Sequence, residues 1–146
     1  MFSILGDAPV GARVLDLYAG TGALALEALS RGARRATCVE RDPSALAALA
    51  RNVADLGLEG EVEIARAEAL DYCRRIIQDG ATFDMVFCDP PYASDLTPIG
   101  EQVVDSDLWT TVCVVEHAAG RVLPAPPLMG DTRRYGDTAL TFFWRR

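Results

Sequence analysis

The sequence holds a single histidine, His117, and its four cysteines, Cys38, Cys73, Cys88 and Cys113, include no C-x-x-C pair. A zinc-type centre needs about four close ligands, so no metal site is expected. No secretion signal is recognisable: the N-terminus lacks a basic flank, a long apolar stretch and a small-residue cleavage site. A disulfide framework is therefore not expected. Cys38, Cys88 and Cys113 lie in apolar runs and read as small core residues. No apolar run approaches the ~20 residues needed to cross a bilayer. These absences predict a cytoplasmic protein with no membrane contact. Basic charge is also scarce, with 14 Lys and Arg against 21 Asp and Glu and a net charge of −7. Phosphate binding normally needs a basic face, so the balance weighs against nucleic acid as a partner. The arginines do cluster, as Arg31, Arg34 and Arg35 and as Arg133, Arg134, Arg145 and Arg146. Solvated surface is the first reading of these clusters, and a basic strip the second.

The 146 residues, 50% of them apolar, suit one domain spanning 1–146, and a monomer is expected. Short β-branched runs alternate with alanine- and leucine-rich ones. Strands are predicted over 13–18, 36–40, 61–66, 83–88 and 111–116. Residues 61–66 alternate as an edge strand would, and 83–88 are nearly all apolar, as in a strand buried on both faces. Helices are predicted over 23–30, from Asp42 to about Leu56, over 68–78, and more weakly over 96–106. Asp42 is a good N-cap with Pro43 at the first helical position, and Gly57 a plausible stop. Two further strands, 132–135 and 138–144, flank Gly136-Asp137, a hairpin-type turn signal. Leu123-Pro124-Ala125-Pro126-Pro127 must be a loop, because proline lacks the ladder donor. The pattern predicts an α/β fold: a doubly wound, mostly parallel, seven-stranded sheet with a C-terminal antiparallel hairpin.

Chemistry concentrates at two strand ends. After the first strand, Asp16-Leu17-Tyr18-Ala19-Gly20-Thr21-Gly22 joins strand to helix. In open α/β sheets ligands bind at the carboxyl ends of strands, beside the point where strand order reverses. Gly20-x-Gly22-x-x-Ala25 fits a dinucleotide loop as well as an adenosyl-ligand loop, and the motif alone does not separate them. A carboxylate such as Asp16 suits a cationic amino-acid head group better than a pyrophosphate, which it would repel. Glu40, ending the second strand, is placed to bind the two hydroxyls of a ribose, which fits either ligand.

After the fourth strand stands Asp89-Pro90-Pro91-Tyr92, the most informative stretch. The prolines stiffen the loop. The Pro90 carbonyl and the Asp89 carboxylate offer two acceptors about one amino group apart. An exocyclic amine on a nucleobase needs such a grip, because its lone pair is delocalised into the ring. Two acceptors on its N–H bonds favour a pyramidal nitrogen aimed at an electrophile. Tyr92 offers a face on which an extruded base can stack.

Together these residues resemble the class I S-adenosylmethionine-dependent methyltransferases of the amino-methylating kind, with a Rossmann-like fold. The run from Val14 to Gly22-Ala23-Leu24, continuing to Glu27-Ala28-Leu29-Ser30-Arg31-Gly32-Ala33, resembles the bacterial 16S rRNA guanine-N2 methyltransferase D family. So do Val39-Glu40, Asn52, Leu56-Gly57, the D-P-P-Y motif and Arg134-Tyr135-Gly136-Asp137-Thr138. The resemblance implies S-adenosylmethionine as cofactor, with Asp16, Tyr18, Gly20 and Gly22 toward its methionine end. It also implies Glu40 on the ribose, Glu68 near the adenine and Asp89 reaching the same cleft. Asp89, Pro90, Pro91 and Tyr92 would carry catalysis on a guanine of ribosomal RNA in the small subunit. The basic N-terminal segment with an Arg-Pro-Thr motif that is usual in the family has no counterpart here; the sequence starts about where that segment ends.

Three other readings compete. An amino methyltransferase acting on another base or on protein glutamine commonly has Asn where Asp89 stands. A nicotinamide-dependent dehydrogenase would need a residue for hydride chemistry, and His117 reads as structural or solvated. A cofactor-binding remnant would have lost its substrate arm.

Overall fold

The computed structural model describes residues 1–123 and 130–145. The proline-rich loop expected over 124–127 and the terminal Arg146 lie outside the described residues. The elements run in the order α1 (Phe2–Leu5), β1 (Arg13–Leu17), α2 (Ala23–Ser30), β2 (Arg35–Glu40), α3 (Pro43–Asp55), β3 (Val62–Arg66), α4 (Ala69–Gln78) and β4 (Phe83–Cys88). There follow α5 (Thr97–Ile99), a π-helical turn (Gly100–Val104), β5 (Trp109–Ala118), β6 (Asp131–Tyr135) and β7 (Thr138–Trp144).

The seven strands form one sheet in the order β3-β2-β1-β4-β5-β7-β6. Strands β1 to β5 pair in parallel, and β7 is antiparallel to both β5 and β6. This is the doubly wound sheet with a closing hairpin that the sequence predicts. The order reverses at β1, which lies between β2 and β4, so a crevice opens at the carboxyl ends of these strands.

Burial follows from position in the sheet. In the central strands β1 and β4, Val14, Leu15, Leu17, Met85, Val86 and Phe87 are fully buried. Alternate residues face opposite helical layers. Leu15, Leu17, Val86 and Cys88 meet Tyr72, Cys73 and Ile76 of α4, with Ile99 and Val103. Val14, Met85 and Phe87 meet Ala25 and Ala28 of α2, with Leu49 and Val53 of α3. At the edge, β3 has no fully buried residue, as its alternating sequence predicts. All four cysteines are buried with free thiols. Burial pushes the Cys38 and Cys73 thiols up to about 12, which makes them inert packing groups.

Local signals set the helix ends. The Asp42 carboxylate accepts from Ala45 N at 2.8 Å, capping α3 with Pro43 at its first position. The Glu68 carboxylate accepts from Leu70 N and caps α4 in the same way. The weak helix expected over 96–106 is real but broken into α5 and the π-helical turn. The fifth strand is longer than expected, reaching Ala118 because β7 pairs with it as far as that residue. Helix α1 has no sequence signal beyond its apolar residues. Tertiary contact accounts for it: the Phe2 ring lies 5.8 Å from that of Phe87, and the Arg31 guanidinium sits 5.0 Å over Phe2.

Among the described residues no helix is long and apolar enough to cross a membrane. The arginine clusters divide by role. Arg31 pairs with Glu27, and Arg133 with Asp131. Arg145 turns inward, donates to the carbonyls of Trp109 and Ser106, and stacks 3.9 Å from the Trp109 ring. It braces β5 against the preceding turn, so it does not belong to an exposed strip.

Candidate active site

The loop after β1 is shaped by backbone that only some residues tolerate. Gly20 and Gly22 have φ of 59° and 88°, and Tyr18 adopts 58° although it carries a side chain. A non-glycine residue held in the left-handed region stores strain, which concentrates at functional sites. Gly22 is also a packing residue, because a Cβ there would lie 2.4 Å from Leu49 Cδ1. Asn52 on α3 donates to Thr21 O at 3.0 Å and pins the loop from outside.

Glu40 at the end of β2 is held by three backbone donors. Its Oε1 accepts from Gly20 N at 2.9 Å, and its Oε2 from Arg41 N and Asp42 N, each at 2.8 Å. Each oxygen keeps acceptor capacity for a further partner. The carboxylate therefore joins the glycine loop to the next strand end and presents a fixed pair of acceptors there.

Above these groups lies a cleft of about 640 Å³, lined by Tyr18, Val39, Glu40, Arg41, Asp42, Ala67, Glu68, Ala69, Asp89, Pro90, Pro91 and Ser94. Four of its side chains are carboxylic acids and one is a guanidinium. Such a wall attracts a cation and repels a pyrophosphate. That distinction, which the glycine motif alone leaves open, favours a sulfonium nucleoside over a dinucleotide. The cleft has the groups such a nucleoside needs: the Glu40 acceptors for a ribose, and apolar Val39, Ala67 and Ala69 for a flat base. Tyr18, Glu40, Glu68 and Asp89, four of the residues expected at the cofactor, all border it.

Asp16, Gly20 and Gly22 do not form its wall. Asp16 lies beneath the loop, 1% exposed, with its carboxylate accepting from Ala25 N at 3.2 Å. It ties β1 to the first turn of α2. Burial pushes its carboxyl up to about 7; the Ala25 hydrogen bond opposes this, and the charges of Asp89 and Glu40 add to it. A carboxyl raised from 3.8 binds its proton more tightly folded than unfolded. Its contribution to stability is complete below the unfolded value and is lost as pH rises through about 7. The denaturation midpoint of the ligand-free protein should therefore fall between about pH 4 and pH 7, and Asp16→Asn should flatten that fall. Urea melts across this range check it; an unchanged slope in the variant would show that Asp16 is not the cause.

Beyond the D-P-P-Y loop lies a second, smaller cavity of about 110 Å³, lined by Asp89, Pro90, Pro91, Tyr92, Leu96, Glu116, His117, Arg121 and Thr138. Asp89, Pro90 and Pro91 border both spaces. The loop is thus a partition, with a cofactor-sized cleft on one side and a side-pocket on the other. Among the described residues no hydrogen bond reaches the Pro90 carbonyl. The Tyr92 hydroxyl donates to Asp137 O at 2.8 Å, clamping the loop to the hairpin turn while the residue stays 62% exposed. Arg121 donates to Ser94 O and holds the far end of the loop.

Sequence reasoning missed Glu116. In the parallel register Cys88 pairs with Val115, so Asp89 and Glu116 are the next residues on adjacent strands. Partial burial, then the hydrogen bond and the charge of Glu116, raise the Asp89 carboxyl to about 7. The signal was a glutamate closing the Val112-Cys113-Val114-Val115 run; only the register shows that it faces the motif. His117 beside it, expected to be structural or solvated, is buried and also lines the side-pocket. It is 7% exposed, with Nε2 2.7 Å from Thr141 Oγ1 and Nδ1 3.0 Å from Ala118 O.

A family model described as Conserved hypothetical protein 95 matches residues 1–144. The chain is 32% identical over 157 residues to YlbH of Bacillus subtilis, an alignment covering all of this chain and 83% of that protein. It is 32% identical over 130 residues to the Ribosomal RNA small subunit methyltransferase D of Escherichia coli K12, covering 87% of this chain. It spans only 64% of that relative's length. Among solved structures, yhhF from Escherichia coli superposes with a TM-score of 0.86 at 28% identity, covering 99% of this chain and 81% of that one. With its sheet order, its partitioned crevice and a match along almost its whole length, the chain belongs to the Conserved hypothetical protein 95 family of class I methyltransferases, the family of the methyltransferase D proteins.

Proposed function

We infer that the chain transfers a methyl group from S-adenosylmethionine to the exocyclic N2 of a guanine in small-subunit (16S) ribosomal RNA. The observation that carries this reading is the partition: Asp89-Pro90-Pro91 borders both the acidic cleft and the side-pocket. Family membership supports methyl transfer, and the relatives' names support ribosomal RNA as the substrate class.

Glu40 would hold the ribose on its fixed oxygens. Asp16 and Gly22 would act by shaping the loop, and Glu68 by bordering the adenine end while it caps α4. The acidic lining favours a cationic ligand over its neutral product, which assists release after transfer. When bound, S-adenosylmethionine supplies an electrophilic methyl carbon; the nitrogen lone pair forms the new C–N bond as the C–S bond breaks. The Asp89 carboxylate and the Pro90 carbonyl each accept one N–H of the amine, which turns its lone pair toward the cleft. The nitrogen sheds one proton after attack, and Asp89 is the acceptor in contact with it. Because Tyr92 is clamped through its hydroxyl, its ring is held still as a stacking surface, worth ~1–3 kcal/mol for a base.

Calorimetry separates this reading from a dinucleotide enzyme. Heat should accompany S-adenosylhomocysteine and be absent with NAD; the reverse would end the methyltransferase reading.

A further inference from the structure

The side-pocket presents two carboxylates side by side, Asp89 from the end of β4 and Glu116 from β5. The proposed reaction uses only Asp89, and the D-P-P-Y motif gives no reason for a second acid. Bringing two like charges together is unfavourable unless something compensates them; in the free pocket the proton of the Asp89–Glu116 hydrogen bond does so, and a ligand that displaces it must bring donors of its own.

A base with two adjacent donors provides that compensation. Guanine carries N1–H beside its N2 amine. Adenine and cytosine carry a bare ring nitrogen, an acceptor, beside theirs. We propose that Glu116 is the residue that selects guanine, its carboxylate accepting N1–H while Asp89 accepts an N2–H of the same base. This rests on the methyl-transfer reading and adds to it a reason for the choice of base. With Asp89 engaged on the amine and the shared proton displaced, the Glu116 carboxylate has no donor to offer, so adenine or cytosine would set acceptor against acceptor. Arg121, lining the same cavity, carries donors of the kind O6 requires.

Sites built to hydrogen-bond a substrate group discriminate strongly against analogues that lack it, because their own polar groups are left unpaired. One charge-assisted hydrogen bond contributes about 1.5–3 kcal/mol, or roughly 10- to 150-fold. The probe is 2,6-diaminopurine, which keeps the 2-amino group but has a bare N1. It is placed by ligation at the methylated position of 16S rRNA and reconstituted into small subunits, with guanine as the comparison. Wild-type protein should prefer guanine by about 10²-fold in kcat/KM. Glu116→Gln, whose amide can donate to a bare N1, should narrow that ratio to within about 10-fold. Filter binding of the two subunits in the presence of S-adenosylhomocysteine should show the same narrowing without any turnover.

An unchanged guanine preference in Glu116→Gln, even with both rates lowered, would overturn the assignment and leave Glu116 a structural residue. A wild-type enzyme that takes both bases equally would overturn it without any variant. Failure of the wild type to methylate guanine at all, with S-adenosylhomocysteine still bound, would instead overturn the guanine reading itself and the assignment with it.

Discussion

Replacing Asp89 by alanine should lower methyl transfer by about 10³-fold while the affinity for S-adenosylhomocysteine changes by less than about threefold. The two effects separate because Asp89 stands at the partition. On the pocket side the proposed reaction uses it as one of two acceptors that orient the amine, and losing a preorganised electrostatic group typically costs 10²–10³-fold in rate. On the cleft side it is one of four acids, and Glu40, Asp42 and Glu68 remain. The charged donor should lose more affinity than the neutral product, since only the donor carries a sulfonium for the carboxylate to attract. Asp89→Asn keeps an acceptor and should retain more activity than alanine. Single-turnover transfer and equilibrium binding, measured on the same preparations, make the test. Equal loss of rate and product affinity would place Asp89 in the cofactor site alone.

Replacing Glu40 by alanine should do the opposite, weakening S-adenosylhomocysteine about 10²-fold while transfer at saturating donor is largely kept. Glu40 accepts from Gly20, Arg41 and Asp42 backbone donors and still faces the cleft. Removing it takes away the proposed ribose acceptors and frees the three N–H groups of Gly20, Arg41 and Asp42 that it accepts from. Hydrogen bonds to a charged group contribute about 1.5–3 kcal/mol each, so the loss of one or two accounts for the expected shift. Glu40→Gln keeps one acceptor oxygen and should fall between wild type and alanine. A variant that binds normally would show that the ribose lies elsewhere.

Much of this was legible in the sequence because the signals were local. Asp42 and Pro43 mark the start of α3, Gly136-Asp137 marks the hairpin, and the apolar run over 83–88 marks the central strand that the sheet order confirms. The D-P-P-Y motif could be placed at a strand end because that strand is so plainly patterned. What sequence could not give depends on what packs where. Asp16 reads as a ligand group, yet lies under the loop, because the first turn of α2 supplies an N–H to it. Arg145 reads as surface charge, yet turns inward because the Trp109 ring and the carbonyls of β5 and its approach meet it there. Glu116 becomes visible only once the β4–β5 register is known. Helix α1 owes its place to Phe87, which is distant in sequence.

Under the proposed reaction the cleft takes the cofactor and the side-pocket the amine, with Asp89-Pro90-Pro91 as the partition between them. The most direct test is to incubate the protein and S-adenosylmethionine with small ribosomal subunits lacking their own methylation, and then to digest the RNA to nucleosides for mass spectrometry. The account predicts N2-methylguanosine as the new species, formed by wild type and absent with Asp89→Ala. A methyl group on another atom, or equal N2-methylguanosine from the variant, would contradict it.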